Sequence, residues 1–100
     1  MPAAYFVLHN RITEQDGMDK YIPMAVGSLM AAGAEILVVD EDSTVIEGST
    51  DHPRTIVIRF EDREKAMAWY ESSEYSAARE LRQASTEGYG VLVDEFVMPG

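Results

Sequence analysis

Thr55-Ile56-Val57-Ile58-Arg59-Phe60 is the stretch that decides the fold. Four of its residues are β-branched and one is aromatic, the composition of a strand. Alternation sends Ile56, Ile58 and Phe60 to one face, which is wholly apolar, and Thr55, Val57 and Arg59 to the other. The first face asks for helices beneath it. The second is mixed.

Downstream, Asp62 caps a helix that runs through Arg63, Ala66, Met67, Trp69 and Tyr70. Ser72 interrupts it, a second helical stretch covers Ser73 to Ser85, and Tyr89 to Val97 (YGVLVDEFV) reads as a final strand. Upstream, Tyr5 to Ile12 (YFVLHNRI) is a strand and Thr13 to Gly17 (TEQDG) a turn. Met18, Tyr21, Ile22, Ala25, Val26, Leu29 and Met30 then recur at helical steps, and Gly33 stands where a C-cap glycine would. Pro23 predicts a kink in this helix, or a regular part that begins close to it. Glu35 to Asp40 (EILVVD) is a strand, Glu41 to Thr44 a polar turn, Val45-Ile46-Glu47 a resumed extended segment, and Gly48 to Arg54 a loop.

Strand, helix, strand, strand, helix, strand is the split-βαβ, ferredoxin-like order. The expected class is α+β, a βαββαβ chain with a four-stranded antiparallel sheet. Right-handed crossovers put the helices on one face. A length of 100 residues predicts one domain spanning 1–100.

Composition narrows the partners. The chain is 46% hydrophobic and 26% charged, which is globular rather than disordered. Eighteen acidic residues against 8 Lys and Arg give a net charge of −10, which argues against nucleic acid and anionic membranes. The absence of cysteine excludes disulfides, iron–sulfur clusters and thiolate zinc sites, and two histidines are too few for a His-rich metal site. Asp40-Glu41-Asp42 and Asp94-Glu95 lack a calcium-loop pattern and read as solvated charge, so no metal is expected. No basic leader and no apolar run of about 20 residues is present, and the expected location is the cytoplasm.

Alternation in the first strand puts Tyr5, Val7, His9 and Arg11 on the open side, beside Thr55, Val57 and Arg59. An apolar patch of that extent is rarely bare on a soluble monomer. The expected cover is a second copy, a homodimer enclosing a barrel-like space. Polar groups pointing into that space need partners: the other subunit's Asp94 or Glu95, water, or a ligand. His9, Arg11 and Arg59 therefore read as interface ion pairs or exposed groups, or else as a pocket lining with His9 as general base.

Trp69-Tyr70-Glu71-Ser72-Ser73-Glu74-Tyr75 is the most distinctive segment. Ser72 is well placed as an N-cap, with Glu74 in the first turn. Tyr75, Arg79 and Arg82 fall on or near one helix face. They either knit helix to loop or border a cleft, with hydroxyls and a guanidinium aimed at an anion.

Across nearly its whole length the chain resembles the small bacterial proteins classed as domain of unknown function 1330, within the dimeric α+β barrel superfamily. The resemblance rests on Ala32-Gly33, Val45-Ile46-Glu47-Gly48, Arg54, Phe60, the run Ala66 to Tyr75, and Arg82. The family usually has Gly-Gly where this chain has Ala32-Gly33, and Pro where it has Ser73. Relatives often carry a basic residue at the position of Glu35 and an acid or amide at that of His9, which points to a different charge preference here if those positions touch a ligand. The resemblance implies a ferredoxin-like protomer and a homodimer. It supplies no reaction, since the superfamily spans cofactor-free oxygenases, haem-degrading enzymes, lactone isomerases and ligand-sensing modules.

The expected function is binding or conversion of a small anionic metabolite between helices and sheet, without a tightly bound cofactor. His9 would move protons, Arg54 and Arg82 hold the anion, and Tyr70, Ser72 and Tyr75 complete the site. The alternative is a non-catalytic dimeric sensing or interaction module. Haem would require His9 or His52 as axial ligand. No nucleophile–base–orienter set emerges from spacing, so catalysis stays open.

Overall fold

The computed structural model describes residues 2–100. Its elements are β1 (Ala4–Ile12), α1 (Gln15–Ala31), β2 (Glu35–Asp40), β3 (Arg54–Phe60), α2 (Arg63–Tyr70), α3 (Ser73–Ser85) and β4 (Thr86–Asp94). The strands form one antiparallel sheet in the order β2-β3-β1-β4. This is the ferredoxin-like α+β arrangement, with its second helical segment broken into α2 and α3.

The break has a local cause. The Ser72 hydroxyl donates to the Trp69 carbonyl (2.7 Å) and accepts from the Tyr75 N–H (3.2 Å), closing α2 and capping α3 with one side chain. Asp62 caps α2 by accepting from the Lys65 N–H at 2.8 Å. α1 ends at Gly33, whose φ of 70° is left-handed, and the Ala34 N–H returns to the Leu29 carbonyl (3.0 Å).

Three expectations on boundaries are corrected. α1 starts at Gln15 and continues through Pro23, which lies on its exposed side, where water can take the carbonyl that the proline leaves unbonded. Val45-Ile46-Glu47 is not a strand, and Ile46 is 91% exposed. β3 already has β2 and β1 as neighbours, so that segment finds no free edge on it. β4 covers Thr86–Asp94 because its bounds follow β1, with Ile12 opposite Thr86 and Ala4 opposite Asp94.

The core lies between helices and sheet. Leu8, Ile56, Ile58 and Phe60 meet Met18, Tyr21, Ala25 and Leu29 of α1 and Trp69, Tyr75 and Ala78 of α2 and α3. Trp69 stacks on Tyr75 with ring centroids 3.9 Å apart and touches Phe60 at 5.3 Å. Its indole N–H donates to the Ser28 hydroxyl (3.0 Å), which donates on to the Ala25 carbonyl (2.8 Å), so no polar atom of that contact is stranded.

The other sheet face carries Val7, Val57, Val38, Val91 and Val93 in register. Its charged groups are paired across strands: Arg11 with Glu87 and, at 3.2 Å, Arg59 with Glu35. Asp94 accepts from Arg63 (3.1 Å), and Glu95 accepts from the Ala3 N–H (3.0 Å). The carboxylates expected to serve a second subunit thus have partners in their own chain: α2 supplies Arg63 to Asp94, and the β1–β4 pairing brings Glu95 beside Ala3. Among the described residues, no helix is long and apolar enough to cross a membrane.

Candidate functional site

The alternation that turns Phe6 and Leu8 toward the helices also buries Asn10 there. It is 1% exposed, and neither its amide nitrogen nor its oxygen has a hydrogen-bond partner among the described residues. An unmet buried amide costs on the order of 1–3 kcal/mol, so it calls for an explanation. Its neighbours across the strands are Arg54 on β3 and Gly88 on β4.

Arg54 and Arg82 are both buried, at 6% exposure each. The Arg82 Nε donates to the Tyr75 hydroxyl at 3.2 Å, and that hydroxyl lies 2.9 Å from the Tyr21 hydroxyl. The Arg54 Nε donates to both carboxylate oxygens of Glu41 (3.1 and 3.3 Å). The Nη groups of both arginines donate to no protein atom among the described residues. The tyrosine pair holds two hydroxyl protons and uses one between them. The cluster therefore presents a surplus of donors: guanidinium N–H groups, a tyrosine O–H and the Asn10 amide.

Burial, then the neighbouring Tyr75 hydroxyl, pushes the Tyr21 pKa well above the ordinary tyrosine range; the charges of Arg82 and Arg54 pull the other way. Both guanidinium groups thus act on one hydroxyl. For Arg82 burial opposes the charge, but the interaction with Tyr75, backed by Tyr21 and Tyr70, outweighs it and raises the pKa. Arg82 stays cationic and Tyr21 stays a neutral donor. One exposed carboxylate against two buried cations leaves room for an anion.

Two hollows flank this cluster and share Phe6 and Leu8 as walls. The larger, about 380 Å³, lies between α2, α3, β1 and β4 and is lined by Phe6, Phe60, Trp69, Tyr70, Arg82 and Leu92. The smaller, about 120 Å³, lies between α1, β2 and β3. Glycines on β4 let the strand approach. A Cβ at Gly88 (φ 150°) would stand 2.1 Å from the His9 carbonyl, and one at Gly90 2.6 Å from the Phe6 ring.

Of the residues singled out in the sequence, Arg54, Tyr75 and Arg82 come together here. Tyr70 lines the larger hollow, with its carbonyl accepting from Arg79 (2.5 Å) and its ring 4.9 Å beneath that guanidinium. Ser72 is committed to capping. His9 lies on the opposite sheet face, 3.2 Å from the Thr55 hydroxyl, with its ring 5.6 Å from Tyr89. The sheet separates it from the cluster. His52 stands beside Asp51 at 3.4 Å in the segment 41–53. No group of three or more His, Cys, Asp or Glu suited to a metal ion occurs among the described residues.

Asn10 and Tyr21 are the members that sequence reasoning missed. Asn10 had a signal, since a polar residue follows Phe6 and Leu8 on the alternation that faces the core. Tyr21 had none: it sits in the apolar stripe of α1, and spacing does not reveal where a hydroxyl ends.

A ferredoxin-like α+β sheet with a donor-rich cleft beneath its helices defines the class. The chain belongs to the family described as domain of unknown function (DUF1330), whose model matches residues 3–96. No curated protein matches it. Among solved structures it is similar to a protein of unknown function from Rhodopseudomonas palustris, at 9% identity and a TM-score of 0.80, covering 97% of this chain and 85% of that one. It is also similar to HapK from Hahella chejuensis (11% identity, TM-score 0.65, 97% and 96% coverage). A third is SnoaB, a cofactor-independent oxygenase from Streptomyces nogalater (8% identity, TM-score 0.62, 98% and 97% coverage). At these identities the likeness is one of fold.

Proposed function

We propose that this chain is a cytoplasmic homodimeric α+β barrel protein that binds a small anionic metabolite in the cleft between helices and sheet, without a tightly bound cofactor. The observation that carries the reading is the Asn10 amide, buried and unbonded beside the donor surplus of Arg54, Arg82, Tyr21 and Tyr75. A carboxylate or enolate oxygen would accept from the Arg82 Nη groups and the Asn10 Nδ2, while the Asn10 oxygen would take a ligand N–H or O–H. Arg82 donates to the Tyr75 hydroxyl, one hydroxyl of the Tyr21–Tyr75 pair donates to the other, and the second proton of the pair is left for the ligand. Such donors stabilise an oxyanion whether it is bound or formed in a reaction. The aromatic walls of the larger hollow suit the ligand's apolar body.

Binding is better supported than turnover. The raised pKa of Tyr21 makes it a firm hydrogen-bond donor and a weak acid at neutral pH. That favours a sensing or sequestering role. Turnover has a precedent on this fold in the neighbouring cofactor-independent oxygenase. His9 has no part in the cleft. Support for the dimer comes from the exposed valines of the open sheet face, with Val91 44% and Val93 42% exposed.

Native mass spectrometry of protein purified gently from its source tests the reading. The expected result is a dimer that releases an anion on collisional activation, with Arg82→Met and Asn10→Leu dimers empty. A wild-type protein that carries nothing, and gains no thermal stability from a panel of carboxylates and phosphates, would defeat it.

A further inference from the structure

The smaller hollow is chemically unlike the larger. Its walls are mostly aliphatic: Ile22, Val26 and Leu29 from α1 face Ile36, Val39 and Ile58 from the sheet, alongside Phe6 and Tyr21. Four of these are left substantially uncovered, Ile22 at 42%, Val26 at 39%, Ile36 at 43% and Val39 at 55% exposure. The arrangement depends on a β-bulge. A register shift between Ile36 and Val38 lets Ile36 pair with Ile58 and Val39 with Ile56, so both point toward the helices. An unbulged strand would have sent one of them to the far face.

Arg54 lies at the polar end of this trough. Its side chain is 7% exposed, yet the carboxylate that meets it belongs to Glu41, which is 62% exposed. Glu41 opens the segment 41–53, which has neither helix nor strand. Both its oxygens sit on Nε alone, so the two-pronged geometry that a guanidinium offers through Nε and Nη is unused. Glu41 is a carboxylate on a loop, loosely seated on a buried cation at the head of an open aliphatic trough. A free carboxylate with a hydrocarbon tail makes the same contact and covers the exposed wall as well.

We propose that the trough between α1, β2 and β3 is a second ligand site, for a short branched aliphatic monocarboxylate, and that Glu41 is the internal carboxylate this ligand displaces from Arg54. The trough's volume of about 120 Å³ holds about four water-sized groups, the bulk of a chain of four or five carbons. The trough is lined by Arg54 and Tyr21, which the anion reading also counts among its donors, and by no part of Arg82, so the two readings are told apart by whether the trough methyls or the Arg82 side responds.

Isovalerate is the probe. Isopentanol, with the same carbon frame and no charge, and benzoate are the comparators. Methyl and arginine Nε–Hε resonances report where each one binds. Isovalerate is expected to shift the Ile22, Val26 and Val39 methyls and the Arg54 Nε–Hε, with isopentanol at least about tenfold weaker. Glu41→Gln removes the competing charge and is expected to tighten isovalerate by about tenfold. Val39→Phe changes an exposed position, fills the trough, and is expected to abolish these shifts while leaving Tm unchanged. The proposal is overturned if Glu41→Gln shows no methyl or Arg54 response, if isopentanol binds as well as isovalerate, or if isovalerate shifts only the Arg82 side. Trough shifts in a protein whose larger hollow takes no anion would uphold this proposal and remove the reading at Arg82. Benzoate shifts at Arg82 with a silent trough would do the reverse.

Discussion

The two faces of the sheet treat their polar groups in opposite ways. On the open face Arg11 pairs with Glu87 and Arg59 with Glu35 directly across the ladder, Asp40 accepts from the Asp42 N–H (2.9 Å), and His9 is bonded to Thr55, which is bonded in turn to Ser43 (2.6 Å). On the helix face, among the described residues, Asn10 has no partner, the Nη groups of both arginines donate to no protein atom, and the Tyr21–Tyr75 pair has a proton left over. A polar group near water can be left alone at little cost, and here such groups are paired. A polar group in the core is costly to leave alone, and here, among the described residues, the Asn10 amide is. The stability sacrificed on the helix face is the mark of a site. The pairs on the open face need no ligand to account for them.

Substitutions can break or sharpen that contrast. The largest effect is expected at Trp69, whose stack on Tyr75 holds the buried hydroxyls in place. Trp69→Ala should cost about 3–5 kcal/mol in chemical denaturation and abolish ligand binding with it. Next is the alkaline limb of the stability profile. The folded-state pKa of Tyr21 is raised, so its contribution is fully present below about pH 10, the unfolded value, and is lost as pH rises beyond it. Tyr21→Phe should flatten that limb by up to about 1.4 kcal/mol per pH unit. An unchanged slope would mean that the hydroxyl titrates normally.

Asn10→Leu reads the contrast most directly. Replacing the unmet amide with an apolar group of similar size should raise stability by about 1 kcal/mol while removing anion binding. A variant that loses stability would show that the amide is satisfied in solution. The smallest effect belongs to the open face. Arg11→Gln breaks an exposed pair and should change stability by less than about 1 kcal/mol, and by less still at high salt. A loss several times larger, growing with dilution, would show that this pair is buried by a second copy.

Much of the fold was legible because its causes are local. Ile56, Ile58 and Phe60 alternate with polar or smaller residues, Asp62 and Ser72 have capping chemistry, and Gly33 supplies a left-handed φ. Boundaries that depend on a partner were less legible. β4 takes its ends from β1, and Val45-Ile46-Glu47 stays unpaired because β3 has no free edge. The site divides the same way. Arg54, Tyr75 and Arg82 stood out as scarce or distinctive residues, and the structure brings them together. Alternation puts His9 on the open side, and the sheet stands between it and Arg82, so its acid–base chemistry does not reach the cleft.

By itself the sequence determined the α+β class, the order of its elements, the break at Ser72 and the faces that the residues of β1 and β3 present. These follow from side-chain period, backbone propensity and capping, which act over a few residues. Only the tertiary structure decided that Asn10 goes unbonded, that two tyrosine hydroxyls from different helices meet at 2.9 Å, and that Glu41 reaches Arg54. Those outcomes depend on register, on the bulge between Ile36 and Val38, and on where long side chains end. The hydrogen bonds of a site are fixed to within an ångström by packing between distant segments, and no local pattern encodes that distance.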